Sequence, residues 1–119
     1  ARQKKVYYLV FKSHQAAIAK ARPGVKCADL DKIARGIISR AGYAKEFDHS
    51  LGHGIGLVIH EAPALSSRSQ AVLRSGMVVT IEPGIYITGW GGVRIEDDIL
   101  IRPGKAQIIT TFERHLLEL

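Results

Sequence analysis

The sequence predicts an α+β fold in which two helices cover one face of a mainly antiparallel sheet. Two observations support this prediction. Two segments with helical apolar periodicity come first in the chain, and β-branched runs separated by glycine and proline follow them. The 119 residues suffice for one domain or a large piece of one. Apolar residues make up 46% and charged residues 24% of the chain, the balance of an ordinary globular protein.

Both helices are predicted from apolar residues that recur on one face. In the first segment these residues are Val6, Val10, Ala17 and Ala21. The Pro-Gly pair at 23–24 ends this helix, because proline cannot continue it. The second helix is predicted from about Ala28 to Ala41, with the following glycine as its C-terminal cap.

The second half of the chain is predicted to be rich in strands. The segments are Met77 to Ile81, with a continuation at Gly84 to Ile87, then Val93 to Ile101, and a return strand at Gln107 to Phe112. The Arg-Pro-Gly-Lys sequence at 102–105 predicts the hairpin turn between the last two strands. Side chains alternate along a strand, so Arg94 and Glu96 are predicted to share one face.

Composition argues against several classes of partner. The net charge is +6, but the basic residues are scattered and no aromatic residues are interleaved for base stacking, which favours a solvated surface over nucleic-acid binding. No apolar run reaches the roughly 20 residues that cross a membrane, and the charged N-terminus lacks a signal sequence. The chain starts with Ala, which indicates a processed form, a crop or a fragment.

Cys27 is the single cysteine and cannot form an internal disulfide. A lone cysteine favours a reducing, cytoplasmic location. At the start of a helix it is more often a packing residue than a catalytic thiol.

Candidate site residues lie between positions 47 and 98. His49, His53 and His60 stand close together in sequence, and glycines alternate with bulkier residues around His53. Glycine at this density lets other groups approach the backbone and opens space for a ligand. Further along, Glu82 ends an apolar run and Glu96 is predicted inside an apolar strand, where an unpaired carboxylate is costly.

One histidine and two carboxylates form a ligand set that suits Mn, Co, Fe or Zn. Two plainer readings remain open at this point. A histidine beside glycines is more often structural than a ligand. Arg94 could also simply pair with Glu96.

Three motifs, in this order, resemble those of the methionine aminopeptidase, aminopeptidase P and prolidase superfamily. They are Gly-His-Gly-Ile-Gly at 52–56 with His-Glu-Ala-Pro at 60–63, Thr-Ile-Glu-Pro-Gly-Ile-Tyr at 80–86, and Gly-Val-Arg-Ile-Glu-Asp-Asp at 92–98. The Gly-Ile-Tyr continuation is closer to prolidases and aminopeptidases P. The resemblance implies the pita-bread α+β fold. It also implies that residues 1–119 are the C-terminal part of a metallopeptidase catalytic domain.

By resemblance, the metal ligands are His53, Glu82 and Glu96. Glu82 would also transfer a proton in catalysis, and Glu96 would bridge two metal ions. The resemblance implies two divalent ions in the intact protein, with Mn or Co favoured and Zn or Fe also suited. Together the ions would lower the pKa of a bridging water and clamp the substrate carbonyl.

The remaining roles concern the substrate. By resemblance, His60 is catalytic and binds the developing oxyanion, while His49 lines the substrate pocket. Arg94 would hold an acidic ligand in place. The implied substrate is a peptide with proline in second position. The resemblance implies no nucleic-acid or membrane partner, and members of the family often form homodimers.

The family draws two further aspartate ligands from a strand upstream of the first helix. The early aspartates here, Asp29 and Asp31, fall inside the second predicted helix instead. The chain alone is therefore predicted to lack a complete dinuclear site and to be inactive by itself. The main alternative is a non-catalytic superfamily member that serves as a binding module, which the intact set of histidines and glutamates argues against. A metal-independent, creatinase-like hydrolase is disfavoured because those relatives lose the metal-binding carboxylates.

Overall fold

The computed structural model describes all 119 residues. Helix α1 (Arg2–Lys20), helix α2 (Cys27–Arg40) and a short 3₁₀ turn (Ala44–Glu46) precede all the strands. The strands are β1 (Gly52–Gly54), β2 (Glu61–Leu65), β3 (Val78–Ile81), β4 (Gly84–Ile87), β5 (Gly91–Arg94), β6 (Asp97–Leu100) and β7 (Gln107–Ile108). Two helices on antiparallel strands confirm the predicted α+β class. Neither helix has the length and apolar character that a membrane span requires.

Both helices form where the periodicity predicts them, within a few residues. The end of α2 shows why: Gly42 has φ +91°, its N–H donates to the carbonyl of Ser39, and Tyr43 N–H donates to the carbonyl of Ile38. This pair of bonds is a Schellman cap, which needs a residue that tolerates the left-handed region. The helix therefore ends at Arg40 and turns the chain toward the strands.

The strands form two sheets. The larger has the order β2-β1-β3-β6-β7, and β4 pairs only with β5 in the smaller one. Every pairing is antiparallel. The apolar core is divided in the same way. Val6 and Val10 of α1 belong to a cluster with Ile85 and Ile95, while Ala17 belongs to a larger cluster with α2 and the five-stranded sheet.

The prediction of one strand from Val93 to Ile101 is wrong. The chain leaves the small sheet after Arg94 and enters the large sheet at Asp97, because Ile95 is buried in one apolar cluster and Ile99 in the other. Likewise β4 does not continue β3, because the chain changes sheets at Pro83.

Two other strand predictions need correction. The return strand is limited to Gln107–Ile108, after which the chain bonds irregularly: Ile109 N–H donates to the carbonyl of Asp98, whose own N–H donates to Thr110 Oγ1. Strands β1 and β2 were not predicted at all. Glycine in β1 carries no strand propensity, so only tertiary packing reveals it.

Close approach of backbones explains the glycines of β1. A Cβ at Gly52 would overlap the carbonyl of Thr80, and a Cβ at Gly54 would overlap the carbonyl of Ala62. These glycines let β1 lie tightly between β2 and β3. His53 is thereby held against β3.

Candidate active site

The register of β3 and β6 sets the two candidate carboxylates opposite one another. The pairing ends at Ile81 opposite Asp97. Beyond this pair, the next residue is Glu82 on the β3 side and Glu96 on the β6 side. The N–H of Glu82 donates to the carbonyl of Leu51 at 2.8 Å, which ties the end of β3 to the residue before β1. Both glutamates therefore project from the same end of the sheet.

His53 and Glu82 are in contact. The two atoms that meet are His53 Nε2 and Glu82 Oε1, 3.0 Å apart. The other ring nitrogen, Nδ1, lies 3.0 Å from the carbonyl oxygen of Gly54. Because a carbonyl can only accept, Nδ1 carries the hydrogen of this bond. In the neutral ring, Nε2 then presents a lone pair to a carboxylate oxygen, and a cation bound by both groups would relieve that repulsion.

Thr80 links the histidine to the glutamate. Its Oγ1 accepts the N–H of His53 at 3.1 Å and donates to Glu82 Oε1 at 2.9 Å. Thr80 is itself buried. Sequence reasoning did not select this residue, although it lies inside the Thr-Ile-Glu-Pro motif. The hydroxyl fixes one oxygen of Glu82 and leaves the other free of a protein partner.

Glu96 lies in the connection between two sheets, not inside a strand as predicted. Its side chain is 41% exposed, and Arg94 Nε lies 3.7 Å from its Oε2. Partial burial, and then the negative charge of Glu82, raise the pKa of Glu96 above its ordinary value. Arg94 offsets that charge only in part, since its own side chain is half exposed. The site thus carries a surplus of negative charge.

His49 is held beside the same site by Tyr86. Its Nε2 lies 2.8 Å from the Tyr86 hydroxyl, and its Nδ1 lies 2.7 Å from the carbonyl of Ser50. Because the carbonyl takes the hydrogen of Nδ1, the tyrosine hydroxyl donates to Nε2. Tyr86 also lies next to Arg94 and raises the pKa of that guanidinium. The hairpin β4–β5 therefore orients one wall of the site.

An ion pair on α2 between buried Asp31 and partly exposed Arg35 fixes the loop that carries His49. Arg35 binds Asp31 through two nitrogens, at 2.9 and 3.0 Å, and donates to the carbonyls of Phe47 and His49 at 2.7 Å each. Asp31 in turn accepts the N–H of Leu51 at 3.1 Å. Sequence reasoning treated Asp31 only as a helical residue. The signal that could have identified the pair is the i, i+4 spacing of Asp31 and Arg35.

His60 completes the set that surrounds the cavity. Its ring centroid is 4.3 Å from that of His53, at the end of a loop whose apolar residues, Leu57, Val58 and Ile59, are exposed. The space beside His53 and Glu82 forms a cavity of about 440 Å³, and a second cavity of about 450 Å³ reaches Glu96.

The structure thus brings the sequence-predicted residues to one end of the sheet, but it does not form a ready-made metal cage. No three side chains of the histidine, cysteine, aspartate and glutamate type converge closely enough to hold an ion. His53 contacts Glu82, and Glu96 acts on them through its charge. The assignment of ligands remains a prediction.

Comparison with known proteins places this site in a family. The family model described as metallopeptidase family M24 matches residues 1–103. The chain belongs to metallopeptidase family M24. This confirms the superfamily that the three motifs indicated.

Relatives and solved structures agree with the M24 assignment. Xaa-Pro dipeptidases of Pyrococcus horikoshii and Pyrococcus furiosus are each 50% identical over 116 residues, which cover 98% of this chain and 33% of each relative. The prolidase structure from P. horikoshii has a TM-score of 0.95, with 50% identity over 98% of this chain and 33% of that one. The Xaa-Pro dipeptidase from Bacillus anthracis has a TM-score of 0.96, with 44% identity over 99% of this chain and 33% of that one.

This M24 chain therefore spans about a third of the length of these relatives. A methionine aminopeptidase from Rickettsia prowazekii, 22% identical with a TM-score of 0.75, shares the fold. Together these structures confirm that the chain forms part of a pita-bread fold.

The M24 family implies a metal ion, and the residues present fit one. An imidazole nitrogen and a carboxylate oxygen face each other at 3.0 Å, and a second carboxylate, Glu96, lies near enough for the charge of Glu82 to contribute, after burial, to its raised pKa. Nitrogen and carboxylate donors of this kind bind first-row divalent cations. This donor set is part of a coordination sphere and not the whole of one.

Proposed function

We propose that this chain is the C-terminal part of the catalytic domain of a longer protein. In our proposal that protein hydrolyses the bond between an N-terminal residue and proline. The main observation in support is the register of β3 and β6, which sets Glu82 and Glu96 side by side next to His53. Identity of 50% to two relatives named Xaa-Pro dipeptidase supports the choice of substrate.

In this proposal His53, Glu82 and Glu96 would hold two divalent ions, with Glu96 shared between them. Mn and Co are the favoured metals, and the remaining ligands come from the part of the protein outside this chain. Divalent ions at this position would lower the pKa of a nearby water and polarise the peptide carbonyl.

Glu82 is the proposed acid–base group. Thr80 Oγ1 donates a hydrogen bond to Glu82 Oε1. Oε2 is therefore the oxygen free to accept a proton and to return it to the leaving amine. The fixed position of Oε1 limits rotation of the carboxylate, which keeps Oε2 directed at the cavity.

The two other histidines are proposed to bind the substrate. His60, next to His53, donates to the carbonyl oxygen as negative charge develops there. His49, held by Tyr86, lines the wall against which the proline ring would lie. Arg94 restrains Glu96 by its charge. We further propose that the intact protein is cytoplasmic and forms a homodimer, like many of its superfamily.

The test is an assay of the full-length protein loaded with Mn²⁺ or Co²⁺. We expect cleavage of Xaa-Pro dipeptides and little cleavage of Xaa-Ala controls. His53→Ala should abolish both turnover and Mn²⁺ binding, while Glu46→Gln, at a partly exposed position in the 3₁₀ turn, should leave both intact. A wild-type protein with no bound metal and no metal-stimulated turnover would instead support the binding-module alternative.

A further inference from the structure

A second histidine–carboxylate pair lies behind the site and is not used in the proposed mechanism. His14 on α1 and Asp97 at the start of β6 are 0% and 1% exposed. The distance between His14 Nε2 and Asp97 Oδ2 is 3.0 Å. Arg114 Nε, from the C-terminal segment, contacts the same oxygen, and Arg114 also donates to the carbonyl of Thr110 at 2.7 Å.

This buried pair is directly joined to the proposed ligand Glu96. Asp97 is the next residue, and successive side chains of an extended chain point to opposite faces. Glu96 faces the cavity, whereas Asp97 faces α1. Asp97 also forms the last pair of the β3–β6 ladder, opposite Ile81. The position of Asp97 therefore restrains the backbone of the adjacent residue, Glu96.

His14 lies at the junction of the two apolar clusters. Val10, one turn before it, belongs to the cluster of the small sheet, and Ala17, three residues later, belongs to that of the large sheet. The chain changes sheets between Arg94 and Asp97, and Asp97 contacts His14 there. A polar contact at this junction can therefore fix one sheet end relative to α1.

The hydrogen-bond partners define the state of His14. Gln15 Nε2 lies 3.1 Å from His14 Nδ1, and since the amide nitrogen donates, Nδ1 accepts and Nε2 carries the hydrogen that faces Asp97. Burial lowers the pKa of His14, outweighing the attraction of Asp97, so the ring is neutral near pH 7. Arg114 then supplies the balancing positive charge.

An arrangement of this kind is not the most stable choice for a buried position. Well-packed apolar residues of similar volume are often as stabilising as a buried ion pair, or more so. Asp97 Oδ1 and His14 Nε2 are both buried without a hydrogen bond of good geometry, although Nε2 lies 3.0 Å from Asp97 Oδ2, which adds to the cost. A buried polar contact of this kind is therefore better explained by what it positions than by the stability it adds.

We propose that His14 is a positioning residue for the metal centre: together with Arg114 it holds Asp97, and through Asp97 it aims Glu96 at Glu82. This inference rests on the proposed function, because it takes Glu96 as a metal ligand. Residues that orient metal ligands typically change metal affinity by about 10- to 100-fold when they are removed.

The experiment measures Mn²⁺ binding to the full-length protein by isothermal titration calorimetry. We expect His14→Leu to weaken Mn²⁺ binding about 10- to 100-fold, at the same binding step that Glu96→Gln removes. His14→Gln retains an N–H donor and should recover part of the affinity. Ser13→Ala is the matched control, since Ser13 is equally buried on α1 but bonds only to the carbonyl of Val10.

Thermal unfolding of each metal-free variant separates positioning from stability. A lower melting temperature in His14→Leu with the Mn²⁺ affinity of Ser13→Ala would overturn the inference. If His14→Leu does not fold, His14→Gln and the isosteric Asp97→Asn carry the test, and wild-type affinity in both would overturn it equally. Failure of the wild-type protein to bind Mn²⁺ at all would refute the proposed function itself.

Discussion

Two histidine–carboxylate pairs lie on opposite sides of the same strand ladder, and they differ in almost everything except their distance. His53 and Glu82 are 3.0 Å apart, as are His14 and Asp97. The first pair is 20% and 13% exposed and borders a cavity, while the second is enclosed.

Charge balance is the more informative difference between the two pairs. The enclosed pair receives Arg114, so its carboxylate is neutralised within the protein. The open pair lies beside a further carboxylate, Glu96, and Arg94 only partly offsets the two. A pair that is complete in itself contributes to structure, whereas a pair left with surplus charge and space can bind a cation and a substrate. The distance between the paired atoms alone does not distinguish the two pairs.

The largest expected effect comes from the open pair. Glu82→Gln should lower kcat on an Xaa-Pro dipeptide by about 10²- to 10⁴-fold, because the amide cannot accept the proton. The melting temperature of the metal-free protein should not fall, since the change removes a like charge beside Glu96. Steady-state kinetics of the Mn²⁺-loaded full-length protein measure this. Turnover within a factor of two of wild type would show that Glu82 is not the acid–base group.

The next effect concerns the close approach on which the open pair depends. Gly52→Ala forces a Cβ into the carbonyl of Thr80 and should lower the free energy of unfolding by about 3 kcal/mol. Gly36→Ala is the control: it lies inside α2, where the added methyl meets only the flexible end of Arg40, so it should stabilise by about 0.5–1 kcal/mol. Urea unfolding of the two variants gives the comparison. Equal stability would mean that β1 and β3 are less tightly packed than described.

The enclosed pair should make stability depend on pH. The folded protein has a lowered His14 pKa, so below about pH 6.5 the unfolded chain binds a proton that the folded one resists. The stabilisation is complete above that pH and is lost as the pH falls, by up to about 1.4 kcal/mol per pH unit. Asp97 is the charged group that contacts His14, and the charge of Arg114, which contacts Asp97, also acts on the ring.

The measurement for this prediction is urea unfolding of the metal-free protein between about pH 5 and pH 7.5, in wild type and His14→Gln. The raised pKa of Glu96 acts in the opposite direction, so its contribution to stability increases as the pH falls. Identical pH profiles would show that His14 is not the titrating group.

The smallest effect is expected at the wall of the open site. Tyr86→Phe removes the 2.8 Å hydrogen bond to His49 and should raise KM about 2- to 10-fold with little change in kcat, because the pocket is loosened while the acid–base group is intact. Tyr43→Phe provides a comparison outside the site. A fall in kcat without a change in KM would place Tyr86 in the chemical step.

The sequence was sufficient for the helices, the family and most residues of the site, because these depend on local periodicity and on motifs. Gly42 is an example: its place after an apolar helical face predicts the cap that is observed. The sequence was not sufficient to predict the change of sheet at Ile95. Apolar and polar residues alternate in the same way in one long strand and in two short strands that belong to different sheets. The division depends on which apolar cluster each isoleucine enters.

The contacts that align the site were also beyond sequence reasoning. Thr80 and Arg35 act through hydrogen bonds to groups 12 to 27 residues distant. His14 and Asp97 meet only because α1 crosses the sheet at the change of strands. Such pairs follow from tertiary packing, which overrides local preference and leaves no periodic signature.

The end of the β3–β6 ladder also determines where the protein can tolerate redesign. Glu82 and Glu96 are aligned by pairs that lie outside the hairpin between them, so the length of that hairpin does not set their separation. Extra residues inserted at its tip, at 88–90, should leave the two carboxylates opposite one another. A one-residue deletion within Val78–Ile81 would turn Glu82 to the other face. The tip is therefore the natural place to insert residues without disturbing the reaction centre.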